Sequence, residues 1–245
     1  MGYPVPMDKM VEATGARLWT VALGHGCPAL FFNGGPGCDD YLGTVSEMIA
    51  DLCRVVRFEP RGCGRSDWDG NYGLDTLLED AEAVARAHNL ERPIVIGHSA
   101  GANFALAYAM RRANSVRGLV GIAGGNLVND RTWHAAYKEG LQAVGEDHAG
   151  AVFHADPAVN REGNDGWREF ARRPSLLREV SELSVPCCFI AAGADIRPNW
   201  PIQQLAALLP RGRYVEIAGA AHYIWGSHAS ELRRELRSAI AKIAA

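Results

Sequence analysis

The chain has 245 residues and a formal net charge of −3, with 48% hydrophobic and 22% charged residues. This is ordinary globular composition, and a slightly acidic chain does not favour binding to nucleic acid or to an anionic membrane. No apolar run reaches the ~18 residues needed to cross a bilayer, and the N-terminus lacks a basic segment followed by an apolar one. We therefore expect a cytoplasmic protein without a signal peptide. The sequence does not indicate the oligomeric state.

In chain order, short apolar segments alternate with amphipathic ones. The predicted elements are strands at 18–23 and 29–33, a helix at 41–52, a strand at 54–58, a helix at 75–87, a strand at 93–97, a helix at 100–110, a strand at 116–123, a strand at 185–191, a helix at 201–209, a strand at 213–217 and a helix at 229–243. The segment before Gly15 is a candidate hairpin partner for the first strand. The alternation predicts an α/β fold, with a mainly parallel sheet covered by helices on both faces.

The interval 126–183 breaks this alternation. It is charged and irregular, with helical patterns near 131–143 and 164–171 and no clear strand. We interpret 126–183 as a small helical cap inserted into a core that comprises 1–125 and 184–245. Such an insertion would lie over the carboxyl edge of the sheet, where ligands bind in folds of this kind. The alternative is a surface excursion without a role.

The predicted strand at 93–97 runs into Gly97-His-Ser-Ala-Gly101, directly before a predicted helix. This is the G-x-S-x-G pattern in strand–turn–helix context, in which a sharp turn projects the serine from the strand end. Ser99 is therefore the candidate nucleophile. A serine hydroxyl is a weak nucleophile and needs a base that a third group orients.

Two residues downstream fit these roles in the order Ser, acid, His. Asp195 follows the predicted strand at 185–191, and His222 follows the one at 213–217. Because carboxyl ends of parallel strands share one edge of a sheet, we expect both beside Ser99. Asp130 is the alternative acid. The competing histidines are His98, His134, His148, His154 and His228, and we interpret His98 as a packing or loop-shaping residue beside the turn.

Six cysteines, at positions 27, 38, 53, 63, 187 and 188, are too few and too irregularly spaced for a disulfide scaffold. No Cys-x-x-Cys occurs, and Cys187 and Cys188 lie in an apolar run that favours buried, inert thiols. We predict no metal site and no cofactor.

The apolar strand at 29–33 ends in Asn33-Gly-Gly-Pro-Gly37, which has neither the Gly-Lys-Ser/Thr of a P-loop nor the G-x-G-x-x-G of a dinucleotide site. It resembles the His-Gly-Gly-Pro-Gly hallmark of the proline iminopeptidase-like branch of the α/β-hydrolases. Glu59-Pro-Arg-Gly-Cys-Gly-Arg-Ser66 is similar to that branch's Asp-Gln-Arg-Gly-x-Gly-x-Ser. Asn33 and Glu59-Pro60 depart from the hallmark residues, and the cap is short. We interpret Arg61 and Ser66 as structural.

The resemblance implies a doubly wound, mostly parallel α/β-hydrolase sheet with a small helical cap. It also implies an oxyanion hole formed by the backbone N–H groups of Gly35 and Ala100, with Gly34 as the next candidate. The expected enzyme is a serine hydrolase that cleaves an ester, lactone or amide bond of a small molecule through Ser99, Asp195 and His222. The alternatives are a proline iminopeptidase-like aminopeptidase, a non-catalytic ligand-binding module, and a lyase or cofactor-free oxidative enzyme on the same fold.

Two sets of residues bear on the substrate. Iminopeptidases bind the free amine with cap carboxylates, and the candidates here are Glu139, Glu146, Asp147, Glu162, Asp165 and Glu169, all of which also fit solvated helix faces. The tryptophans near the expected site predict an apolar or aromatic pocket, with core packing as the alternative: Trp133, Trp167, Trp200 and Trp225.

Overall fold

The computed structural model describes residues 6–68, 70–146 and 153–244. Its strands are β1 (Met7–Ala13), β2 (Ala16–Leu23), β3 (Cys27–Phe32), β4 (Cys53–Phe58), β5 (Ile94–His98), β6 (Gly118–Ile122), β7 (Cys187–Ala192) and β8 (Gly212–Ile217). The described residues form an eight-stranded sheet in the order β1-β2-β4-β3-β5-β6-β7-β8. The β1–β2 and β2–β4 pairs are antiparallel, and all the other pairs are parallel. The predicted mainly parallel α/β sheet is confirmed.

Helices cover both faces of the sheet. They are α1 (Gly43–Glu47), α2 (Leu74–Ala87), α3 (Ala100–Arg111), α4 (Arg131–Val144), α5 (Pro157–Ala171), α6 (Leu176–Glu182), α7 (Trp200–Leu208) and α8 (Ala229–Ala244). Leu30 and Phe32 of β3 pack into the core beneath α2 and α3, while Ala29 and Phe31 pack into the core beneath α1 and α8. Because each central strand is buried on both faces, its sequence is continuously apolar.

The chain order creates a switch point in the sheet. From β3 the chain passes to β4 on one side and then returns to β5 on the other side of β3. The connections after β3 and β5 therefore diverge and leave a crevice at their carboxyl ends, which is where ligands bind in open α/β sheets. The motifs after these two strands thus come together.

The helix predicted at 41–52 is shorter in the structure, where α1 covers only Gly43–Glu47. The residues that follow form tight turns, and the carbonyl oxygen of Ala50 accepts a hydrogen bond from the amide of His25 at 3.1 Å. A carbonyl used in this way ties the segment to the β2–β3 connection. The apolar spacing of a helix and of these turns is similar, so the sequence pattern did not separate them.

The described residues of the interval 126–183 contain α4, α5 and α6 and no strand. The last helix, α6, was not predicted, and it buries Leu176 and Val180 in the same core as α2 and α3. The division into core and cap remains a prediction. Residues 147–152 of the interval lie outside the described residues. In the part of the chain that the structure describes, no helix has both the length and the apolar character to cross a membrane.

A buried ion pair joins three segments near the switch point. The Arg61 guanidinium donates to Asp80 of α2 at 2.8 and 2.7 Å and to the carbonyl oxygen of Thr14 in the β1–β2 turn at 2.9 Å. Both side chains are almost fully buried, with 7% and 1% exposed. Ser66 has a similar role, because it accepts from the amide of Trp19 and donates to the carbonyl oxygen of Glu59. Arg61 and Ser66 therefore have structural contacts.

We predict that Asp80→Asn lowers the free energy of unfolding by about 3–5 kcal/mol, because it takes the Asp80 carboxylate charge away from the buried Arg61 guanidinium. The matched control is Asp75→Asn on the same helix, whose exposed pair with Arg111 should contribute at most about 1 kcal/mol. Urea unfolding of the three proteins at neutral pH measures the difference. Equal losses in the two variants would contradict the structural role of the buried pair.

Candidate active site

Ser99 occupies the sharp turn between β5 and α3. Its φ of 56° lies in the left-handed region, and its amide donates to the carbonyl oxygen of Ile122 at the end of β6. The turn is so tight that a Cβ at Gly97 would lie 2.1 Å from the carbonyl oxygen of Gly101. Only glycine is accommodated there, which is the physical reason for the first glycine of the motif.

Ser99, His222 and Asp195 come together at the carboxyl edge of the sheet, although they are far apart in sequence. The Nε2 atom of His222 lies 3.0 Å from Ser99 Oγ, and its Nδ1 lies 2.5 Å from Asp195 Oδ2. In the neutral imidazole one ring nitrogen donates and the other accepts. Because an ionised carboxylate can only accept, Nδ1 carries the proton and Nε2 accepts from the serine hydroxyl.

Asp195 is nearly inaccessible, with 3% of its side chain exposed. Its other oxygen, Oδ1, accepts from the amide of Arg197 at 3.0 Å and from the Arg197 guanidinium at 3.2 Å. Burial raises the pKa of this carboxyl to about 6, although the bond from the Arg197 amide lowers it. Arg197 also pairs with Glu146, which follows α4. Its charge is thus shared between two carboxylates.

The alternative residues are placed elsewhere. Asp130 caps α4, where its side chain accepts from the amide of Trp133 at 2.8 Å. His154 packs against the ring of Trp68, and His228 bonds to its neighbour Ser227. His134 is an exposed residue that borders the cavity described below. His148 lies outside the described residues.

His98 is fully buried directly behind the site. Burial lowers its pKa well below the ordinary value, so its imidazole is neutral. Its Nε2 donates to the carbonyl oxygen of His222 at 3.1 Å, and its Nδ1 therefore accepts from the Tyr41 hydroxyl at 2.6 Å. The Tyr41 oxygen in turn accepts from the amide of Gly34 at 2.9 Å. This chain of bonds joins the glycine-rich loop to the backbone of His222.

The three backbone amides considered for the oxyanion hole differ in whether they already donate a hydrogen bond. The Gly34 N–H is already bonded to Tyr41. In contrast, the N–H groups of Gly35 and Ala100 have no hydrogen-bond acceptor in the described part of the chain, and both residues line the cavity next to Ser99. Gly35 has a φ of 112°, which favours glycine. The arrangement leaves Gly35 and Ala100, rather than Gly34, free to bind an oxygen atom.

A cavity of about 470 Å³ lies between Ser99 and the helices α4 and α5. Trp133 and Trp167 line it, as the aromatic hypothesis requires, but Trp200 and Trp225 are not among its lining residues. Trp225 instead stacks on Tyr41 behind the site. The sequence analysis missed a polar set that shares this wall: Asn103, Asn126, Asn129, Asn164, Asn199, Arg168, Arg172 and Arg197.

The cap carboxylates considered for amine binding do not line this cavity: Glu139, Glu146, Glu162, Asp165 and Glu169. Glu146 pairs with Arg197, and Asp165 pairs with Arg168 at 2.8 Å. Asp147 lies outside the described residues. Among the described lining residues, Asp195 is the single carboxylate, and both of its oxygens are engaged.

The side chains that could bind a metal ion or act as thiol nucleophiles are considered next. Within residues 6–68, 70–146 and 153–244, no group of three or more His, Cys, Asp or Glu side chains is arranged to hold a metal ion. The loop cysteines Cys38 and Cys63 are buried, and burial raises the pKa of each thiol to about 12. Both thiols are therefore protonated and weakly nucleophilic at neutral pH.

A family model for the alpha/beta hydrolase fold matches residues 28–152, about half of the chain. The chain belongs to the α/β-hydrolase family. Among curated relatives of this α/β hydrolase, a proline iminopeptidase of Xylella fastidiosa (strain 9a5c) is 36% identical over 167 residues, which cover 65% of this chain and 51% of the relative. A proline iminopeptidase of Heyndrickxia coagulans is 29% identical over 119 residues, which cover 46% and 41%. The chain thus lies in the proline iminopeptidase-like branch and spans about half of the length of these relatives.

Solved structures resemble the α/β hydrolase over nearly its whole length. An esterase from Thermogutta terrifontis superposes with a TM-score of 0.78 and 18% identity, covering 97% of this chain and 99% of that one. An E-2-(acetamidomethylene)succinate hydrolase gives a TM-score of 0.76 and 17% identity, with 96% and 99% covered. At these identities the likeness shows the fold alone.

We predict that covalent labelling of this α/β hydrolase by a fluorophosphonate slows about tenfold per pH unit as the pH falls through 6. Burial raises the pKa of Asp195 to about 6, so as the pH falls through 6 the hydrogen-bonded Asp195–His222 pair takes up a proton and His222 no longer accepts one from Ser99. Labelling rates between mildly acidic and neutral pH, read by mass spectrometry of the Ser99 peptide, measure the midpoint. Asp130→Asn is the control and should keep the same profile. A midpoint near the ordinary pKa of an aspartate would contradict the prediction.

Proposed function

We propose that this α/β hydrolase is a serine hydrolase that forms an acyl-enzyme on Ser99. The observation that carries the proposal is the continuous set of contacts from Asp195 through His222 to Ser99 Oγ, at 2.5 and 3.0 Å, beside two unbonded amides on the wall of one cavity. A nucleophile, a base and an orienting acid in hydrogen-bond contact are the parts that acyl transfer needs.

In the proposed reaction, Ser99 Oγ attacks the acyl carbonyl while His222 Nε2 takes the serine proton. The carbonyl oxygen becomes an oxyanion, which the N–H groups of Gly35 and Ala100 bind. His222 then donates its proton to the leaving group, and the Ser99 ester forms as the bond to that group breaks. Water attacks this ester with His222 as base, and Ser99 Oγ leaves with the proton. Asp195 holds the His222 tautomer and stabilises its charged form.

The proposed substrate is a small carboxylic ester or lactone. The relatives named proline iminopeptidases suggest the alternative of an N-terminal aminopeptidase. An aminopeptidase must pair a desolvated ammonium group with carboxylates, since an isolated buried charge is too costly. The described lining of this cavity offers only Asp195, and its oxygens are bonded to His222 and Arg197. An ester also requires less help from a positioned proton than an amide does.

Substitution of Ser99 and His222 tests the mechanism. We predict that Ser99→Ala and His222→Ala each abolish turnover of an activated ester while the circular dichroism spectrum is retained. Because the two groups act as one unit, the double variant should be hardly slower than either single variant. Steady-state kinetics of the three variants provide the comparison. Losses that add up in the double variant would contradict a shared role.

The other readings of the fold give different results with the same wild-type protein. A non-catalytic ligand-binding module would not be labelled at Ser99 by a fluorophosphonate. A lyase or cofactor-free oxidative enzyme that uses only the His222–Asp195 pair would show no acyl-enzyme burst with any activated ester. Labelling together with a burst supports the serine hydrolase.

We predict that short acyl esters and lactones give a higher kcat/KM than the prolyl anilide, since no described cavity carboxylate is available to bind a free amine. The assay compares prolyl, alanyl and N-acetylprolyl anilides with the esters and lactones on one enzyme preparation. The acetylated anilide is the control, because acetylation removes the amine charge. Strong cleavage of the prolyl anilide that disappears on acetylation would replace the ester proposal with the iminopeptidase.

A further inference from the structure

One face of α5 forms a wall of the cavity. Asn164, Trp167, Arg168, Ala171 and Arg172 all line it, and their spacing of three and four residues places them on a single helical stripe. Two glycines of the same helix allow it to approach its neighbours closely. A Cβ at Gly163 would lie 2.8 Å from Pro36, and a Cβ at Gly166 would lie 2.9 Å from Leu74. The stripe is therefore fixed against the glycine-rich loop rather than free to turn.

The charges on this wall are unbalanced. The arginines Arg168, Arg172 and Arg197 line the cavity, and Asp195 is the only carboxylate among its described lining residues. Arg197 is shared between Asp195 and Glu146, and Arg168 pairs with Asp165. The Arg172 guanidinium makes no hydrogen bond or ion pair with any described residue, so its charge is available to a ligand.

The position of Arg172 has a simple structural explanation that must be separated from ligand binding. Arg172 is the C-cap residue of α5, where a cation interacts favourably with the helix dipole. That role, however, does not require the side chain to border the cavity, nor does it explain a second arginine four residues earlier on the same stripe. Two like charges at this spacing disfavour the helix, and of the two arginines only Arg168 is paired with a carboxylate, that of Asp165.

We propose that the cavity takes a substrate that carries a carboxylate, and that Arg172, assisted by Arg168, binds this carboxylate beneath α5. The inference deepens the proposed function and rests on it for the reaction. A guanidinium presents parallel N–H donors that match the two oxygens of a carboxylate, and it remains charged at every physiological pH. The same positive wall would repel the free amine of an aminopeptidase substrate.

Matched ester pairs test the inference. Monoethyl glutarate is compared with ethyl glutaramate, in which a neutral amide replaces the carboxylate on the acyl side. The pair 4-carboxybenzyl acetate and 4-carbamoylbenzyl acetate does the same on the alcohol side. At low salt, the charged ester of at least one pair should have a kcat/KM about tenfold higher or more, and this preference should shrink in about 0.5 M salt.

The Arg172→Gln variant should reduce the ratio of charged to neutral kcat/KM to near one. The charge-matched control is Arg178→Gln on the exposed surface of α6, which lies outside the cavity lining and should keep the wild-type ratio. Arg168→Gln should have a smaller effect than Arg172→Gln, since Arg168 already pairs with Asp165. A ratio near one in the wild type for both pairs, or a ratio that survives Arg172→Gln, would overturn the inference.

Binding measured without turnover separates this inference from the proposed function. Calorimetry on Ser99→Ala, with and without Arg172→Gln, compares glutarate with glutaramide. Glutarate binding that depends on Arg172, together with a wild-type protein that cleaves no ester, would keep the carboxylate site and refute the hydrolase. Ester cleavage without any preference for the charged ligand would refute the carboxylate site and keep the hydrolase. Neither cleavage nor preferential binding would refute both.

Discussion

The close approach of the backbone at the ends of β3 and β5 is the constraint on which the rest of the site depends. A Cβ at Gly101 would lie 2.2 Å from the carbonyl oxygen of Phe32, and one at Gly34 would lie 3.1 Å from the Cβ of Ser99. The first turn of α3 and the glycine-rich loop can therefore share this space only without side chains. Because the two segments touch, the unbonded amides of Gly35 and Ala100 border the same cavity as the Ser99 hydroxyl. The same contact fixes Ser99 in its left-handed conformation, which a free chain would rarely adopt.

The neutral His98 extends this constraint to the opposite side of the site. Its bonds to the Tyr41 hydroxyl and to the His222 carbonyl oxygen cross the space between the glycine-rich loop and the loop after β8. In the neutral imidazole Nε2 donates and Nδ1 accepts, so both ring nitrogens are satisfied and no charge is buried. A residue predicted to pack or to shape a loop thus bonds to the backbone of the proposed base. The sequence signalled only its position beside Ser99, because the partners of a buried imidazole come from segments that are distant in the chain.

The fold and the meeting of the three predicted side chains could both be inferred from local sequence. Apolar strands punctuated by glycine predict a parallel sheet, and Asp195 and His222 follow strands whose ends share one edge. The catalytic roles of these residues stay predictions. Two elements were predicted incorrectly or missed, and each has a physical cause. The helix α1 ends at Glu47, and the turns after it are tied to the β2–β3 connection by the hydrogen bond from the His25 amide to the Ala50 carbonyl oxygen. The helix α6 is apolar enough to pack into the core but too short to give a periodic signal. The cavity wall was missed because its arginines and asparagines meet only after α5 docks, and a charged helix face otherwise indicates solvent.

The docking of α5 also explains how the short interval 126–183 borders a pocket. Gly163 and Gly166 bring the helix against Pro36 and Leu74, and Asn160 donates to the carbonyl oxygen of Pro36 at 2.8 Å. These contacts reach the loop that carries Gly35, so the wall with Arg172 and the proposed oxyanion donors are held by the same segment. On the other side, Trp133 of α4 donates to the carbonyl oxygen of Pro198 at 3.1 Å, close to Arg197 and Asp195. The helices α4 and α5 thus each contact a loop that carries part of the candidate site. These polar and steric contacts hold the residues of α4 and α5 that line the cavity in place relative to Ser99.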